Sequence, residues 1–286
     1  MQVENESPIV SVIMTVKNGS RYIREALNSV LSQSFQNWEL IIIDNGSTDD
    51  TSTIIQNISD HRVTSRLKVH DIGRTPALNS AFELARGKYI AILDHDDRCS
   101  NERLEKQVEF LEANRNVALV GTWALVIDEL GEVISTSCPP TTNTEIVLAF
   151  ATCCPIIHSS VMFRHSIAAQ LNFYDETYRH ASDFDFSLRV SRISEIAILP
   201  LFLCHRRFTS FSFTNEIRTT AAREEMKLLG RAQSIHSFKG ITRLRNIKQR
   251  MIALVIYITC LTKLRFIIHL ISRHRIGRAT NDVIHR

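Results

Sequence analysis

The chain has 286 residues, 44% of them hydrophobic, which is enough to bury the core of one large α/β domain with an appendage. The first ten residues, MQVENESPIV, lack a basic start and an apolar stretch, and six irregularly spaced cysteines form no CxxC pair, so we expect neither a secretory signal nor a disulfide scaffold but a cytoplasmic protein. The net charge of +4 is uneven, because residues 239–286 hold eleven Lys or Arg residues and one acid.

The first half of the chain alternates strand-like apolar runs with helical spacing. Strands are predicted at residues 9–14, 38–43, 67–70, 89–93 and 117–120, and helices at residues 21–32, from about 49 to 58, 75–85 and 102–114. This repeated order predicts an α/β fold with a Rossmann-like, mostly parallel sheet flanked by helices. The alternation weakens beyond residue 131: residues 135–143 are predicted to be a loop, and residues 145–191 a more irregular part that packs on the sheet.

Acidic residues follow two of the predicted strands. Asp44 comes after the second strand, and Asp94-His95-Asp96-Asp97 comes after the fourth. Ligands of open α/β sheets bind outside the carboxyl ends of the strands, and three carboxylates in four residues repel one another unless a cation lies between them. Because Mg²⁺ and Mn²⁺ take oxygen ligands together with substrate phosphates, the cluster predicts a divalent metal and a phosphate-bearing ligand. The alternative is a set of solvated loop residues or helix caps.

Two polar residues lie just upstream of this cluster. Arg74 could pair with a diphosphate, and Asn79 could bond to a ribose or to backbone. Each could instead be an ordinary residue, Arg74 on the surface and Asn79 as a buried polar group of a helix.

The motifs of residues 8–114 resemble those of a known family. SPIVSVIMTVKNGSRYIREALNSVLSQSFQNWELIIIDNGSTDDT and RTPALNSAFELARGKYIAILDHDD are similar to the nucleotide-binding half of glycosyltransferase family 2, which has the GT-A fold. The resemblance implies that Asp44 binds a uracil or thymine base and that Asp94-His95-Asp96 is the DXD motif. The residues assigned to the donor are Thr15, Asn18, Asp44, Arg74, Asn79, Asp94 and Asp96. Asp96 and Asp97 are assigned to Mn²⁺ or Mg²⁺.

The resemblance continues more loosely through CPIIHSSVMFR and FYDE to ASDFDFSLR. Asp183 stands at the position of the family's general base, with Ser182 where Glu is common. Asp185 is the alternative base, or else a helix-start acid or the partner of Arg189. One base without an obvious carboxylate nucleophile predicts a single displacement with inversion.

The sequence does not decide the roles of two histidines in the second half of the chain. His158 is interpreted as an acceptor-cleft or packing residue, because its cysteine neighbours lack the ligand set of a structural zinc site. The family often carries Tyr-Arg-x-His after a Leu-Pro strand, and this chain has Phe208 at the position of that histidine. Either His205 substitutes for it or the contact is absent.

The chain is therefore divided into a nucleotide-sugar-binding half (1–114), an acceptor-binding half of the same domain (115–220) and a basic amphipathic helical tail (221–286). The apolar run of the tail is interrupted by Lys263 and Arg265, so it is too short for a membrane span. It suits a helix on an anionic membrane surface, and packing on the body or in a dimer is the alternative. No nucleic-acid-binding module is recognisable, and the oligomeric state is not predicted.

The expected activity is a metal-dependent, inverting transfer of a sugar from a UDP- or dTDP-sugar to a saccharide or lipid-linked acceptor, in cell-surface polysaccharide biosynthesis. The expected location is the cytoplasm or the inner face of the cell membrane. The alternative is a non-catalytic GT-A-like protein that binds a nucleotide sugar or a membrane. An NAD-dependent oxidoreductase is disfavoured because VKNGS, after the first strand, has a single glycine.

Overall fold

A computed structural model of the protein describes residues 7–209 and 215–235. The strands are β1 Val10–Val16, β2 Trp38–Asp44, β3 Val63–Leu67, β4 Tyr89–Ile92, β5 Arg98–Cys99, β6 Val117–Ile127, β7 Val133–Ser137, β8 Met162–Arg164 and β9 Glu195–Arg207. The helices are α1 Ile23–Leu31, α2 Thr51–Gln56, α3 Arg74–Phe82, α4 Arg103–Ala113, α5 Asn143–Ala149, α6 His165–Gln170, α7 Ser182–Val190 and α8 Asn215–Ile235, with a 3₁₀ turn at His158–Ser160.

The strands form one sheet in the order β3-β2-β1-β4-β8-β6-β9-β5, with β7 paired to β6. Strands β1 to β4 pair in parallel, as do β6 and β9. Antiparallel pairing of β8 with both β4 and β6 joins the two parallel groups. The predicted α/β fold with a mostly parallel sheet is therefore confirmed.

Both faces of the sheet are covered because successive side chains of its inner strands point to opposite faces and both sets are apolar. Ile13 and Ile41 lie in a core with α3 and α5 to α8, whereas Val12 and Leu40 lie in a second core with α1, α2 and α4. Parallel strands buried on both sides bring their carboxyl ends to one edge, where the loops after β1, β2 and β4 meet.

Residues 145–191, predicted as an irregular part that packs on the sheet, instead contribute β8 to the sheet and contain α6 and α7. Two predicted segments were also wrong. The third strand is β3, which ends at Leu67 rather than beginning there, and part of the predicted loop 135–143 belongs to β7. Both strands have largely exposed side chains and, within the part of the chain that the structure describes, pair on one side only, so neither shows the apolar pattern by which a buried strand is recognised.

Helix α8 begins before the predicted start of the tail at residue 221. Its Leu228 and Ala232 are buried in the core that also contains residues of α7. The rest of the predicted tail, residues 236–286, lies outside the described residues. Within residues 7–209 and 215–235, none of the helices has both the length and the hydropathy that a membrane span requires.

Candidate active site

The loops after β1 and β2 are joined through Asn18. Its backbone has φ of 52°, in the left-handed region that Asn tolerates. The Asn18 N–H donates to Ser47 Oγ at 2.9 Å, and its side-chain Oδ1 accepts from the Thr48 N–H at 2.8 Å. Next in the chain, Gly19 packs against the His95 ring, where a Cβ would overlap it. These contacts fix the first loop over the acidic segment that follows β4.

Asp44 ends β2 and is only 2% exposed. One carboxylate oxygen accepts the Ser47 N–H at 3.0 Å and the other accepts the Ser52 hydroxyl. Thr15, 9% exposed, lies near the end of the neighbouring β1. Both residues thus stand at the carboxyl edge of the sheet, and Asp44 is held by the loop that it begins.

Arg74, the first residue of α3, connects the two halves of the protein. Its Nη2 lies 2.9 Å from Asp94 Oδ1 and 2.9 Å from Nδ1 of His158. Because a guanidinium can only donate, Nδ1 of His158 accepts, and the other ring nitrogen is left to donate to the Tyr174 hydroxyl, 3.1 Å away. The network Arg74–Asp94–His158–Tyr174 therefore takes two members from each half.

The charges in this network support one another. Burial would raise the pKa of the Asp94 carboxyl, but the Arg74 guanidinium and His158 together outweigh it and hold that pKa well below its usual value. Burial would likewise lower the pKa of Arg74, yet the carboxylates of Asp94 and Asp183 raise it. Asp183 is therefore close enough to this guanidinium to act on its charge.

The acidic segment after β4 is braced by backbone and side-chain hydrogen bonds. The Asp94 N–H donates to Ser159 Oγ at 3.1 Å, and Asp97 accepts the Arg207 N–H at 2.7 Å. Asp97 is 5% exposed, whereas Asp96 is partly open to solvent. Burial, together with the carboxylates of Asp96 and Asp94, raises the pKa of Asp97 to about 7.

Asp96 and Asp97 fit a hard divalent cation. No Lys or Arg side chain in the described part of the chain forms an ion pair with either carboxylate, and after burial the repulsion from Asp96 and Asp94 contributes to the raised pKa of Asp97. Residues 7–209 and 215–235 also gather no group of three or more acidic, His or Cys side chains that could hold a metal. A cation here would need phosphate and water oxygens to complete its shell, as Mg²⁺ commonly does.

Arg207 is a site residue that the sequence analysis missed. Its buried guanidinium donates to the Asp96 carbonyl at 2.9 Å and to Glu25 at 2.8 Å, and it stacks 4.3 Å from the centroid of the Tyr22 ring. The available signal was its position in CHRRF, beside the departure at Phe208. His205, also in that segment, pairs along the sheet with Arg98, and its Nδ1 is buried with no hydrogen-bond partner among the described residues.

Helix α7 carries both candidate bases. Asp185 is fully buried, and its two oxygens accept from Arg189 and Arg231, each at 2.7 Å. Asp183 is partly exposed, so its carboxylate is the one that can meet a ligand. The Ser182 hydroxyl is buried and has no hydrogen-bond partner within the described residues.

Asn79, assigned to the donor with a bond to backbone as the other possibility, bonds to the backbone of Tyr174. Its amide nitrogen donates to the Tyr174 carbonyl at 3.0 Å and to Glu176 at 2.9 Å, and its oxygen accepts the Tyr174 N–H at 3.2 Å. These bonds fix the backbone behind the Tyr174 ring. The other predicted donor and metal residues lie at the carboxyl edge of the parallel strands or in the segments that follow these strands: Thr15, Asn18, Asp44, Arg74, Asp94, Asp96 and Asp97.

The model of the family described as "Glycosyl transferase family 2" matches residues 11–171. The chain belongs to glycosyltransferase family 2. This family 2 chain is 38% identical over 191 residues to EpsE of Bacillus subtilis, whose own assignment as a glycosyltransferase is provisional. That alignment covers 65% of the chain and 67% of EpsE.

Solved structures identify the fold of this family 2 protein as GT-A. Residues 1–349 of TarS from S. aureus, in complex with UDP-GlcNAc, superpose with a TM-score of 0.63 at 20% identity, over 78% of the chain and 66% of TarS. The mannosyltransferase PcManGT of Pyrobaculum calidifontis, in complex with GDP-Man and Mn²⁺, gives 0.57 at 15% identity, over 88% and 82%. The chain thus spans about two thirds of the length of EpsE and of this part of TarS.

Proposed function

We propose that this protein transfers a sugar from a UDP- or dTDP-sugar to a saccharide or lipid-linked acceptor, with inversion, in the assembly of a cell-surface polysaccharide. The observation that carries the proposal is the convergence of Arg74 and Asp94 with the carboxylates of Asp96 and Asp97 at the carboxyl edge of the parallel strands, within electrostatic reach of Asp183. Family membership supports the reaction class.

In this proposal the donor lies along the loops after β1, β2 and β4. Asp44 and Thr15 line the pocket of the donor's nucleobase, and Asn18 shapes the wall of that pocket. The Arg74 guanidinium is charged, and its contacts with Asp94 and His158 fix its orientation. It is therefore placed to pair with a diphosphate. Asn79 keeps its assignment to the donor and also supports the wall behind Tyr174.

Asp96 and Asp97 would hold Mn²⁺ or Mg²⁺, which stabilises the negative charge that develops on the leaving nucleoside diphosphate. Binding the cation would also relieve the repulsion that raises the pKa of Asp97. Among these carboxylates, Asp96 is the more exposed and so the more accessible to a metal–phosphate complex.

Asp183 would accept the proton of the acceptor hydroxyl as that oxygen attacks the anomeric carbon. Asp185 is not available for this step, because both its oxygens are committed to arginines. A single free carboxylate at the start of α7 supports one displacement, which inverts the configuration at the anomeric carbon.

A thermal-shift screen of UDP-, dTDP- and GDP-sugars, with and without Mn²⁺, tests the donor site, because a ligand that binds the native state raises its melting temperature. We expect metal-dependent stabilisation by a UDP- or dTDP-sugar that is lost in Asp96→Ala. Absence of any shift across the panel would contradict the proposal.

The same panel separates catalysis from binding alone. Ser182 and Phe208, which depart from the family pattern, motivate the alternative of a non-catalytic binding protein. Transfer would be supported if the wild type releases nucleoside diphosphate and Asp183→Asn does not. The variant should still bind the donor. Binding without turnover in the wild type, across a panel of saccharide acceptors, would support the alternative.

A further inference from the structure

The carboxylate of Glu224, on α8, binds the backbone directly before α7. Its Oε1 accepts the Arg179 N–H at 3.0 Å, and its Oε2 accepts the N–H groups of His180 and Ala181 at 2.9 and 3.0 Å. Ala181 is the N-cap of α7, and Asp183 is the second residue of that helix. One side chain from a distant part of the chain thus holds three consecutive donors beside the proposed base.

These donors lie just before a helix, where backbone N–H groups have no partner within the helix and the positive end of the helix dipole favours an anion. Burial would raise the pKa of Glu224, but the three N–H groups outweigh it and lower that pKa, so the group is a carboxylate at neutral pH. Charge-assisted bonds of this kind are among the stronger hydrogen bonds in proteins. Rotation of the segment 179–181 would break several of them together.

A second charged residue of α8, Arg231, binds a side chain of α7. Arg231 donates to Asp185 Oδ1 at 2.7 Å, and Leu228, between Glu224 and Arg231, is fully buried. Residues spaced i, i+4 and i+7 share one face of a helix, so Glu224, Leu228 and Arg231 form one stripe. This stripe fixes α7 by its preceding backbone, by apolar packing and by an ion pair.

We propose that Glu224 is a positioning residue for Asp183: by binding the backbone of residues 179–181 it sets where the first turn of α7 presents the carboxylate of the base. The inference rests on the proposed role of Asp183 as base. A base must lie within hydrogen-bond reach of the proton it takes, and misplacement of a reacting group by about 1 Å can cost roughly a hundredfold in rate. Glu224 therefore acts on the rate of the reaction without touching the donor.

The contact is tested by hydrogen exchange in Glu224→Gln, which nearly keeps the shape of the side chain but replaces one acceptor oxygen with an NH₂ donor. Glu112→Gln is the matched control, because it removes an exposed carboxylate of α4 that pairs with Lys88. We expect faster exchange of the amides of residues 179–181 in Glu224→Gln alone, with the amides of β1 to β4 unchanged. Unaltered exchange at residues 179–181 would overturn the inference.

The role is tested by kinetics on whichever UDP-, dTDP- or GDP-sugar of the panel the wild type turns over. For Glu224→Gln we expect kcat to fall about tenfold to a hundredfold with the KM for the donor within about twofold, whereas Glu112→Gln matches the wild type. Restoration of most of the lost rate in Glu224→Asp would further favour positioning, because the shorter side chain still presents a carboxylate.

The outcomes distinguish this inference from the function on which it rests. Faster amide exchange with unchanged kcat would overturn the positioning role and leave Asp183 as base. Equal losses in kcat and in donor affinity would indicate general loosening of the fold and would also overturn it. Full turnover in Asp183→Asn would refute the base itself, and with it the positioning role of Glu224, although the measured backbone contact would stand.

Discussion

Individual side chains of the candidate site have little freedom, because each is held by partners from other segments. Tyr174 is an example: its ring is 2% exposed and packs against Phe82 and Phe186, with ring centroids 5.4 and 5.0 Å away, while its hydroxyl meets His158. His158 in turn accepts from Arg74. The geometry of the guanidinium thus depends on a hydroxyl two contacts away.

Tyr174→Phe is expected to lower the free energy of unfolding by about 1–3 kcal/mol, because a buried ring nitrogen of His158 loses its partner while ring packing is kept. Urea denaturation measures the effect. Tyr22→Phe is the matched control: the Tyr22 hydroxyl is buried without a hydrogen-bond partner in the described part of the chain, so its removal should be neutral or slightly stabilising. Equal losses in the two variants would contradict this assignment.

Gly19→Ala tests the packing of the first loop on the acidic segment. The new Cβ would overlap the His95 ring and lie 2.5 Å from Val16 Cγ2, so we expect a loss of about 1–3 kcal/mol and a weaker thermal shift with nucleotide sugar and Mn²⁺. Gly230→Ala is the control, because among the described residues a Cβ there would meet nothing within 4 Å outside its own helix, and it should gain up to about 1 kcal/mol from helix propensity. Melting curves that agree for the two variants would show that the loop yields freely.

At the scale of elements, the sequence predicts a strand well where both of its faces are buried. It predicts a strand poorly where the side chains are exposed and only backbone pairing with a neighbour forms the strand. Strands β1, β2 and β4 are buried throughout and mostly apolar, so they were predicted within a few residues. Strands β3 and β7 carry exposed side chains, and no local pattern marks them. Helix α8 illustrates the same limit, because its docking depends on contacts with α7 that no local spacing reveals.

The turn that enters β3 offers a pH-dependent measurement. The Arg62 guanidinium, 2.7 Å from Asp60 and stacked on the Trp38 ring, lowers the pKa of Asp60 to about 2. Since the pKa is lower in the folded than in the unfolded chain, where it is about 3.9, the pair stabilises the fold at neutral pH, and this contribution is lost as the pH falls from about 4 towards 2.

Asp60→Asn should therefore lower stability by less than about 1 kcal/mol at pH 7, the usual range for a pair near the surface, and by progressively less below about pH 4. Urea midpoints followed by tryptophan fluorescence at several pH values measure this difference. A gap between variant and wild type that stays constant down to about pH 3 would rule out the ion pair as its source.

On the scale of the whole molecule, the two halves form one sheet and one site. The acidic segment was predictable from the sequence because its residues are adjacent in the chain and directly follow a buried strand. Tyr174 and Arg207 were not, and His158 was interpreted only as an acceptor-cleft or packing residue, since these roles arise from long-range contacts to Arg74 and Asp96. Sequence alone thus indicated the donor side more fully than the residues that brace it.

A substitution at Arg103 tests how much the contacts between residues 1–114 and residues 115–220 stabilise the fold. The buried Arg103 guanidinium donates to the carbonyls of Ile92 at 2.9 Å and Val161 at 3.0 Å, one from each half. Arg103→Met should cost at least about 2 kcal/mol in chemical denaturation, because buried acceptors lose a charged donor. Arg115→Met, at an exposed position after α4, should stay within about 0.5 kcal/mol of the wild type. A small effect of the first substitution would indicate that water replaces the guanidinium.

The position of β4 inside the sheet also bears on how the chain is made. On the ribosome, β1, β2 and β4 are synthesised early, but β8, which covers the other side of β4, follows only at Met162–Arg164. While the residues between Ile92 and Met162 are being translated, one side of this wholly apolar strand is an unpaired edge. Nascent chains of that length therefore expose an apolar strand edge that can pair with another chain.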